Sequence, residues 1–549
     1  MTGQVDARRV DAQLAARFRA VVLAGLTLAA FGLRFYRLGT MPLFGDEAYY
    51  LLWAGRLAPA YLDHPAGMAL LLKLSTLLGG PTELGVRWLS ALLSVACVPL
   101  AYAVGRRYVS VWGGMIAAAA VAFGPVYIIT GRVAYPDSAQ AFLLLVNLLA
   151  LAPLITSGPG SGGPPDPPLV AGRQHREASL WAWAWFGLTL ALLLNVKLSS
   201  GFYAAALAAY FLIWRRDLLR DPGLWLAALI AGIGMIPFLW WNATHDWATA
   251  RWAIFHGQGF GLVRQSLFAS LAHAAIYLSP PVVALILATA VIVAISVRHL
   301  TAAARRSETH EASYPASGKR GGPILLVLVA AFLILPVILS AADSPRNLGL
   351  GLLAVLPLAG MPVALPGAQR RSSPAVTATG LAELLLCAFI ALYGLGTTAA
   401  LLGPTRLPHH TSATAIRWDA AAWPQFAASF RPPAGSTVFA VDYSVAGQVS
   451  HYTGHPVYSS EGQYRLWGVP EFTDLTVLGL DSLPRERITA RLREDFASVS
   501  GPDAWRYDDE GLSKTVYTWQ AYGRLVPVDR VLDDLDYLNL ARQAGLPLH

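Results

Sequence analysis

The chain has 549 residues, of which 55% are hydrophobic and 13% are charged. Soluble globular chains carry roughly 25% charged residues, so a single water-soluble globule is excluded and apolar stretches of bilayer-spanning length set the organisation. The net charge of +8 does not describe a nucleic-acid surface, because the basic residues sit in short clusters between apolar runs.

Residues 1–19 form a basic N-terminus, with Arg8, Arg9, Arg17 and Arg19 ahead of an apolar run. That run ends in Arg34 and Arg37 without a small-residue cleavage site, which reads as an uncleaved first span. About 20 apolar residues cross the hydrocarbon core. By that criterion spans fall near 20–38, 84–104, 111–130, 138–156, 180–196, 198–214, 222–241, 277–297, 323–340, 348–366 and 378–402. The expectation is an all-α polytopic membrane domain over 20–402, with about 11 transmembrane helices. If the N-terminus is cytoplasmic, alternate loops hold Arg106 and Arg107, Arg173 and Arg176, the Arg215–Arg220 cluster, the 298–320 cluster, and Arg370 and Arg371. This alternation satisfies the positive-inside rule.

Two of those loops, 157–178 and 299–322, are rich in Gly, Pro and Ser and read as disordered linkers. The outward segment 39–83 mixes apolar residues with Arg56, Asp63 and Lys73, which predicts two short helices lying at the interface. The segment from 242 to about 276 has the same character. From 403 to 549 the chain turns soluble. Strand-like STVFAVDY, DLTVLGLD and KTVYTWQAY and a helical PRERITARLREDFASV predict an α/β domain, periplasmic by parity. Cys97 and Cys387 fall inside apolar segments and read as packing residues, not a disulfide pair.

Ionised groups at the membrane edge are costly, so each is a functional candidate until a partner explains it. On the outward side the acids are Asp46 and Glu47 in FGDEAYY, Asp63 before His64, Asp137 in GRVAYPD, Asp246 and Asp343. Asp46 and Asp137 each have a bland alternative as helix caps. The outward cations run against the topological bias: Arg87, Arg132, Lys197 and Arg346. For Lys197 the alternative is snorkelling to the headgroups. Cations facing a few acids at this depth suit a ligand with its phosphate among headgroups and its tail in lipid, such as a polyprenyl-phosphate sugar. Transfer of that sugar needs one base for an acceptor hydroxyl and positive charge for the departing phosphate. Tyr49, Tyr50, Trp53, Tyr464 and Trp467 could stack on sugar rings or belong to an ordinary interfacial belt. No cofactor is assigned. A divalent metal stays open, since His64, His245 and His256 are outward but their spacing is not diagnostic.

FGDEAYYLLWAGRLAPAYLDHPAGMALLLKL (44–74), AYPD ending in Asp137, VKLSSG around Lys197, SPRN around Arg346, and the tail segment 441–467 together resemble the GT-C class of membrane glycosyltransferases. The similarity is to the group containing protein O-mannosyltransferases and lipid A aminoarabinose transferases. The resemblance implies a GT-C fold, a polyprenyl-phosphate donor and inversion at the anomeric carbon. It assigns Asp46 as the catalytic carboxylate, Glu47 to its support, and Asp137 as a second acid near the acceptor or a metal. Lys197 and Arg346, with Arg87, would meet the donor phosphate, and His64 would orient its loop, with Arg132 beside Asp137. The usual Asp-His-Pro-Pro is Asp-His-Pro-Ala at 63–66, and no repeated sugar-binding modules follow. Both departures argue against a protein acceptor and toward lipid A, a glycan or another envelope acceptor. The expected site of action is the periplasmic face of a bacterial inner membrane. The rival reading is a transporter or lipid flippase, which would gather its charges near the midplane instead.

Overall fold

A computed structural model describes residues 2–156, 171–252, 321–339, 348–360, 392, 395–399, 412–509, 512–537 and 540. The membrane part is helical: α1 Thr2–Phe35, α2 Gly45–Gly55, α3 Gly67–Gly79, α4 Glu83–Tyr108, α5 Val111–Phe123, α6 Pro125–Arg132, α7 Pro136–Thr156, α8 Ala171–Val196, α9 Ser200–Ile213, α10 Pro222–Thr244, α11 Ala248–Trp252, α12 Gly321–Leu339 and α13 Leu348–Val355. Ala16–Phe35, α4, Pro136–Ile155 and α10 are each long and apolar enough to cross a membrane, and α5 with α6 forms one further bent candidate. The span expected at 277–297 lies outside the described residues, as does most of 378–402.

The unbroken span expected at 111–130 is instead broken by 52° between α5 and α6. Its cause is Pro125, which has no N–H to offer the Val121 carbonyl four residues earlier. Arg34 supplies the missing donors: Nη2 reaches Val121 O at 2.8 Å and Nη1 reaches Ala122 O at 3.0 Å, while Nε donates to Ser94 Oγ. A buried arginine in a span is thereby satisfied by the carbonyls that the proline leaves open. The linker expected at 157–178 is corrected at its end, since α8 already starts at Ala171; residues 157–170 and 299–320 lie outside the described residues.

The segment 39–83 forms the two expected short helices, α2 and α3. Between them residues 56–66 make a tight hairpin, in which Tyr61 N–H donates to His64 O at 2.8 Å. Tyr61 Oη donates to Trp53 O and Arg56 O, occupying carbonyls that the end of α2 exposes. Gly67 sets the approach of α3 to α8, because a Cβ there would stand 2.4 Å from Asn195 O.

The tail adds α14 Ser412–Ala420, α15 Trp423–Ser429, α16 Tyr443–Thr453, α17 Tyr464–Trp467, α18 Arg485–Asp495 and α19 Val528–Asp534 around five strands. These are β1 Thr437–Ala440, β2 Val457–Tyr458, β3 Leu475–Leu480, β4 Phe496–Asp509 and β5 Leu512–Arg524, in the order β2-β1-β3-β5-β4. β1 runs parallel to β2 and β3, and β5 is antiparallel to β3 and β4. Alternation along β1 divides the core. Phe439 and Val441 join Ile488, Leu492 and Trp519. Val438 and Ala440 join an apolar cluster shared with Tyr49, Trp53 and Met68 of α2 and α3. The end of the expected helical stretch is corrected, since Phe496 onward is strand.

Gly67→Ala is expected to destabilise the protein by about 1–3 kcal/mol through this backbone clash, read as a lower thermal midpoint in detergent. Gly201→Ala, where nothing lies within 4 Å of the added carbon, serves as the reference; equal midpoints for the two variants would contradict the packing argument.

Candidate functional site

The acidic pair divides into two roles. Glu47 is fully buried and accepts four hydrogen bonds: Oε1 from Arg87 Nε at 2.8 Å and Ala134 N–H at 2.7 Å, and Oε2 from Arg87 Nη2 at 2.6 Å and Phe44 N–H at 2.9 Å. Arg87, equally buried, also donates to the carbonyls of Leu38, Met41 and Pro42. A guanidinium carries five N–H donors, and these contacts engage all five. The geometry therefore corrects the expectation that Arg87 meets a donor phosphate: it has no N–H left to offer one. Arg132 is likewise turned away, donating to Leu33 O, Arg34 O and Tyr36 O at the C-terminal end of α1.

Asp46, one residue earlier in the first turn of α2, points elsewhere. Its Oδ1 accepts from Tyr443 Oη at 2.8 Å, and Tyr443 opens α16 in the tail. The tail meets the start of α2 at several further points. Gly45 N–H donates to Asp419 Oδ2 at 2.7 Å, Leu43 N–H to Tyr452 Oη at 2.6 Å, and Gln448 Nε2 to Leu43 O at 3.1 Å. The first amide of α2, which no helix can satisfy internally, and the Leu43 amide ahead of it are thus held by side chains 374 and 409 residues away in sequence, while the Phe44 amide between them is held by Glu47. Close approach needs glycine on both sides, since a Cβ at Gly45 would lie 2.4 Å from Ser444 Cβ and one at Gly447 would lie 3.0 Å from Tyr49 N.

Tyr49 Oη accepts from Gln463 N–H at 2.6 Å, and Gln463 Oε1 accepts from Leu62 N–H at 2.7 Å, joining the tail to the 56–66 hairpin. Tyr49 also stacks with Tyr464 at 5.9 Å, and Tyr50 lies edge-on to His64 at 5.6 Å. His64 Nδ1 sits 3.3 Å from Asp63 Oδ2. Arg56 lies 4.9 Å over the Trp467 ring. Tyr49, Tyr50, His64, Tyr464 and Trp467 are therefore gathered on one seam between hairpin and tail.

Asp137 stands inside the first turn of α7, one residue past its start, whereas the capping alternative placed it before the helix, and it pairs with Lys197 Nζ at 3.0 Å. One turn further along α7, Gln140 Nε2 donates to Ser199 and Ser200, tying α7 to the start of α9. Ala134, bound to Glu47, is three residues from Asp137, at most about 11 Å of extended chain, so the pair borders the acidic-pair turn. Lys197 also follows the Asn195–Val196 backbone against which Gly67 packs. Arg346, Asp343 and His256 lie outside the described residues. Among the described residues no three His, Cys, Asp or Glu side chains are grouped to hold a metal ion.

Sequence reasoning missed Tyr443, Asp419, Asp442 and Glu461. Asp442 lies two residues past the end of β1, accepting from Ser444 N–H and Oγ, and Glu461 accepts from Tyr443 N–H. The chain leaves β1 for β2 on one side and returns to β3 on the other, and the carboxyl end of such a reversal is where α/β sheets place their sites. That strand-then-Asp pattern in VFAVDYS was the available signal. Burial raises the carboxyls of Asp442 and Glu461 and the Tyr443 phenol, the last also through the Asp46 charge. Burial pushes Asp419 up to about 6 against the pull of Lys514, and pushes Lys514 down to about 8. Lys514 Nζ donates to Asp419 O and Ala421 O, under the rings of Trp418 and Trp423.

Residues 63–160 match the family described as dolichyl-phosphate-mannose-protein mannosyltransferase. No curated protein sequence matches the chain. Among solved structures, ArnT from Cupriavidus metallidurans in the apo state aligns with a TM-score of 0.56 and 14% identity, over 92% of this chain and 98% of that one. ArnT bound to undecaprenyl phosphate aligns with a TM-score of 0.53 and 14% identity, over 91% and 97%. The Archaeoglobus fulgidus oligosaccharyltransferase tethered to an acceptor peptide gives 0.50 and 12%, over 93% and 75%. The fold is that of the GT-C class of membrane glycosyltransferases, and the chain resembles that class.

Because the folded chain binds the Asp419 proton more tightly than an unfolded chain with the ordinary value of 3.8, this group favours folding at low pH and the contribution is lost as pH rises through about 6. Thermal midpoints of wild type should therefore fall more between pH 4 and 6 than those of Asp419→Asn. Parallel curves would contradict that assignment.

Proposed function

We propose that this GT-C-like chain transfers a sugar from a polyprenyl-phosphate carrier to a hydroxyl or phosphate acceptor of the cell envelope, at the periplasmic face of a bacterial inner membrane. The observation that carries the reading is Asp46, an outward carboxylate held by Tyr443 at the start of α2 while its neighbour Glu47 is fully engaged by Arg87. The family match over 63–160 and the likeness to ArnT, one structure of which contains undecaprenyl phosphate, support the same class of donor.

In this reading the acceptor oxygen attacks the anomeric carbon from the side opposite the carrier, so configuration inverts. The bond from that carbon to the phosphate oxygen breaks, its electrons leave with the carrier phosphate, and the acceptor proton passes to Asp46. Phosphate is a good leaving group, so no second acid has to protonate it, in contrast to glycoside hydrolysis. Lys197 supplies positive charge to the departing phosphate. Its pairing with Asp137 holds the ammonium beside the acidic-pair turn. Arg346 joins Lys197 on sequence grounds, and Asp137 orients Lys197 or lies toward the acceptor. The eleven-span topology belongs to the same proposal.

The test is transfer by purified enzyme given a panel of polyprenyl-phosphate sugars and membrane extract. Asp46→Asn is expected to lower kcat by about 10²–10⁴-fold, the usual worth of a general base. Undiminished transfer would refute the assignment. Lys197→Ala should raise the donor KM or weaken donor binding by about tenfold or more; unchanged donor affinity would remove it from the phosphate role.

A further inference from the structure

We infer that Tyr443, carried by the soluble tail, is a positioning residue for the Asp46 carboxylate, so that the tail completes the reactive site. This inference rests on Asp46 acting as the base. Three observations support it. The Tyr443 hydroxyl donates to Asp46 Oδ1 at 2.8 Å across 397 residues of sequence. The phenol is fixed from three directions: its ring lies edge-on to Tyr49 at 4.8 Å, its backbone N–H donates to Glu461, and Asp442 caps the helix that it begins. Its elevated titration, caused by burial and then by the Asp46 charge, keeps the phenol protonated and hence a donor across the physiological range.

The titratable groups around this contact come from both α2 and the tail. Asp46 is faced by Asp419 and Asp442, both of which interact electrostatically with it, and Glu461 lies against the Tyr443 backbone. Tyr49 and Tyr50 of α2 flank the phenol. A hydrogen bond donated to the charged form of a carboxylate favours that form over the neutral one. Tyr443 fixes Oδ1 of Asp46 and with it the plane in which the carboxylate meets an acceptor hydroxyl. The proton taken from that hydroxyl resides on Asp46; Tyr443 neither gains nor loses one.

The experiment compares Tyr443→Phe with wild type in full-length enzyme, with Asp46→Asn alongside. Tyr443→Phe is expected to lower kcat about 10- to 100-fold, with donor and acceptor KM within about twofold. The acid limb of the kcat/KM profile should move up by about one pH unit. A purely structural contact would lower the amount of folded enzyme without moving that limb. Wild-type kcat, or a loss of activity with the limb unmoved, overturns the inference. If Tyr443→Phe does not fold, 3-fluorotyrosine at position 443 replaces it: a stronger donor of nearly the same shape should move the limb down by about 0.3 pH unit, and an unmoved limb overturns the inference. Active Asp46→Asn would instead defeat the underlying reading, whereas inactive Asp46→Asn with normal Tyr443→Phe defeats only this one.

Discussion

The buried ion pair between Glu47 and Arg87 is the constraint on which the end of the helical part that meets the tail depends. Two charges with no exposure to solvent persist only when geometry and additional hydrogen bonds offset their desolvation. Here every donor of the guanidinium and all four contacts of the carboxylate are engaged. The partners come from three places: the turn before α2, the first turns of α4, and the Val133–Tyr135 turn that leads into α7. One pair therefore fixes the start of α2 against the elements that carry Arg87 and, a few residues on, Asp137. Asp46 is presented because its neighbour cannot move.

The tail is built onto that fixed start. Helix amides that lack intrahelical partners normally turn to water or a cap, but the first amide of α2 meets Asp419, and the Leu43 amide just before the helix meets Tyr452. The apolar cluster that begins with Tyr49 and Trp53 continues into Val438 and Val445 without interruption. The strand-bearing tail thus shares an apolar core with α2, α3 and the 129–135 turn, separate from the core of the long helices, and the carboxyl edge of its parallel strands supplies the phenol that meets Asp46. This arrangement explains why an acidic seam of Asp46, Asp419, Asp442 and Glu461 is tolerated: each acid has a donor, from Tyr443, Gly45, Ser444 or the Tyr443 backbone.

Local information in the chain made much of this legible. Apolar spacing placed α2 and α3 within 39–83, and alternation placed β1, β3 and β5. The acidic pair, Asp137 and Lys197 stood out because charges at a membrane edge are costly. Partnerships over long separations were not legible. Arg87 looked like a phosphate ligand because an outward cation has the same appearance in sequence whether it faces a ligand or Glu47, 40 residues away. Tyr443 looked like one aromatic among many, as nothing local marks a phenol that meets a carboxylate 397 positions earlier. The break at Pro125 was readable in principle; hydropathy alone hid it, since a kinked span is as apolar as a straight one.

A double-mutant cycle on Glu47→Gln and Arg87→Met, followed by chemical or thermal unfolding of the full-length protein, tests the central claim most directly. Each single change should cost about 3–5 kcal/mol, because it strands a buried partner. The double variant should cost well under the sum, with a coupling of at least about 2 kcal/mol. Single variants close to wild-type stability, or losses that simply add, would contradict the view that this pair organises the start of α2 and the elements around it.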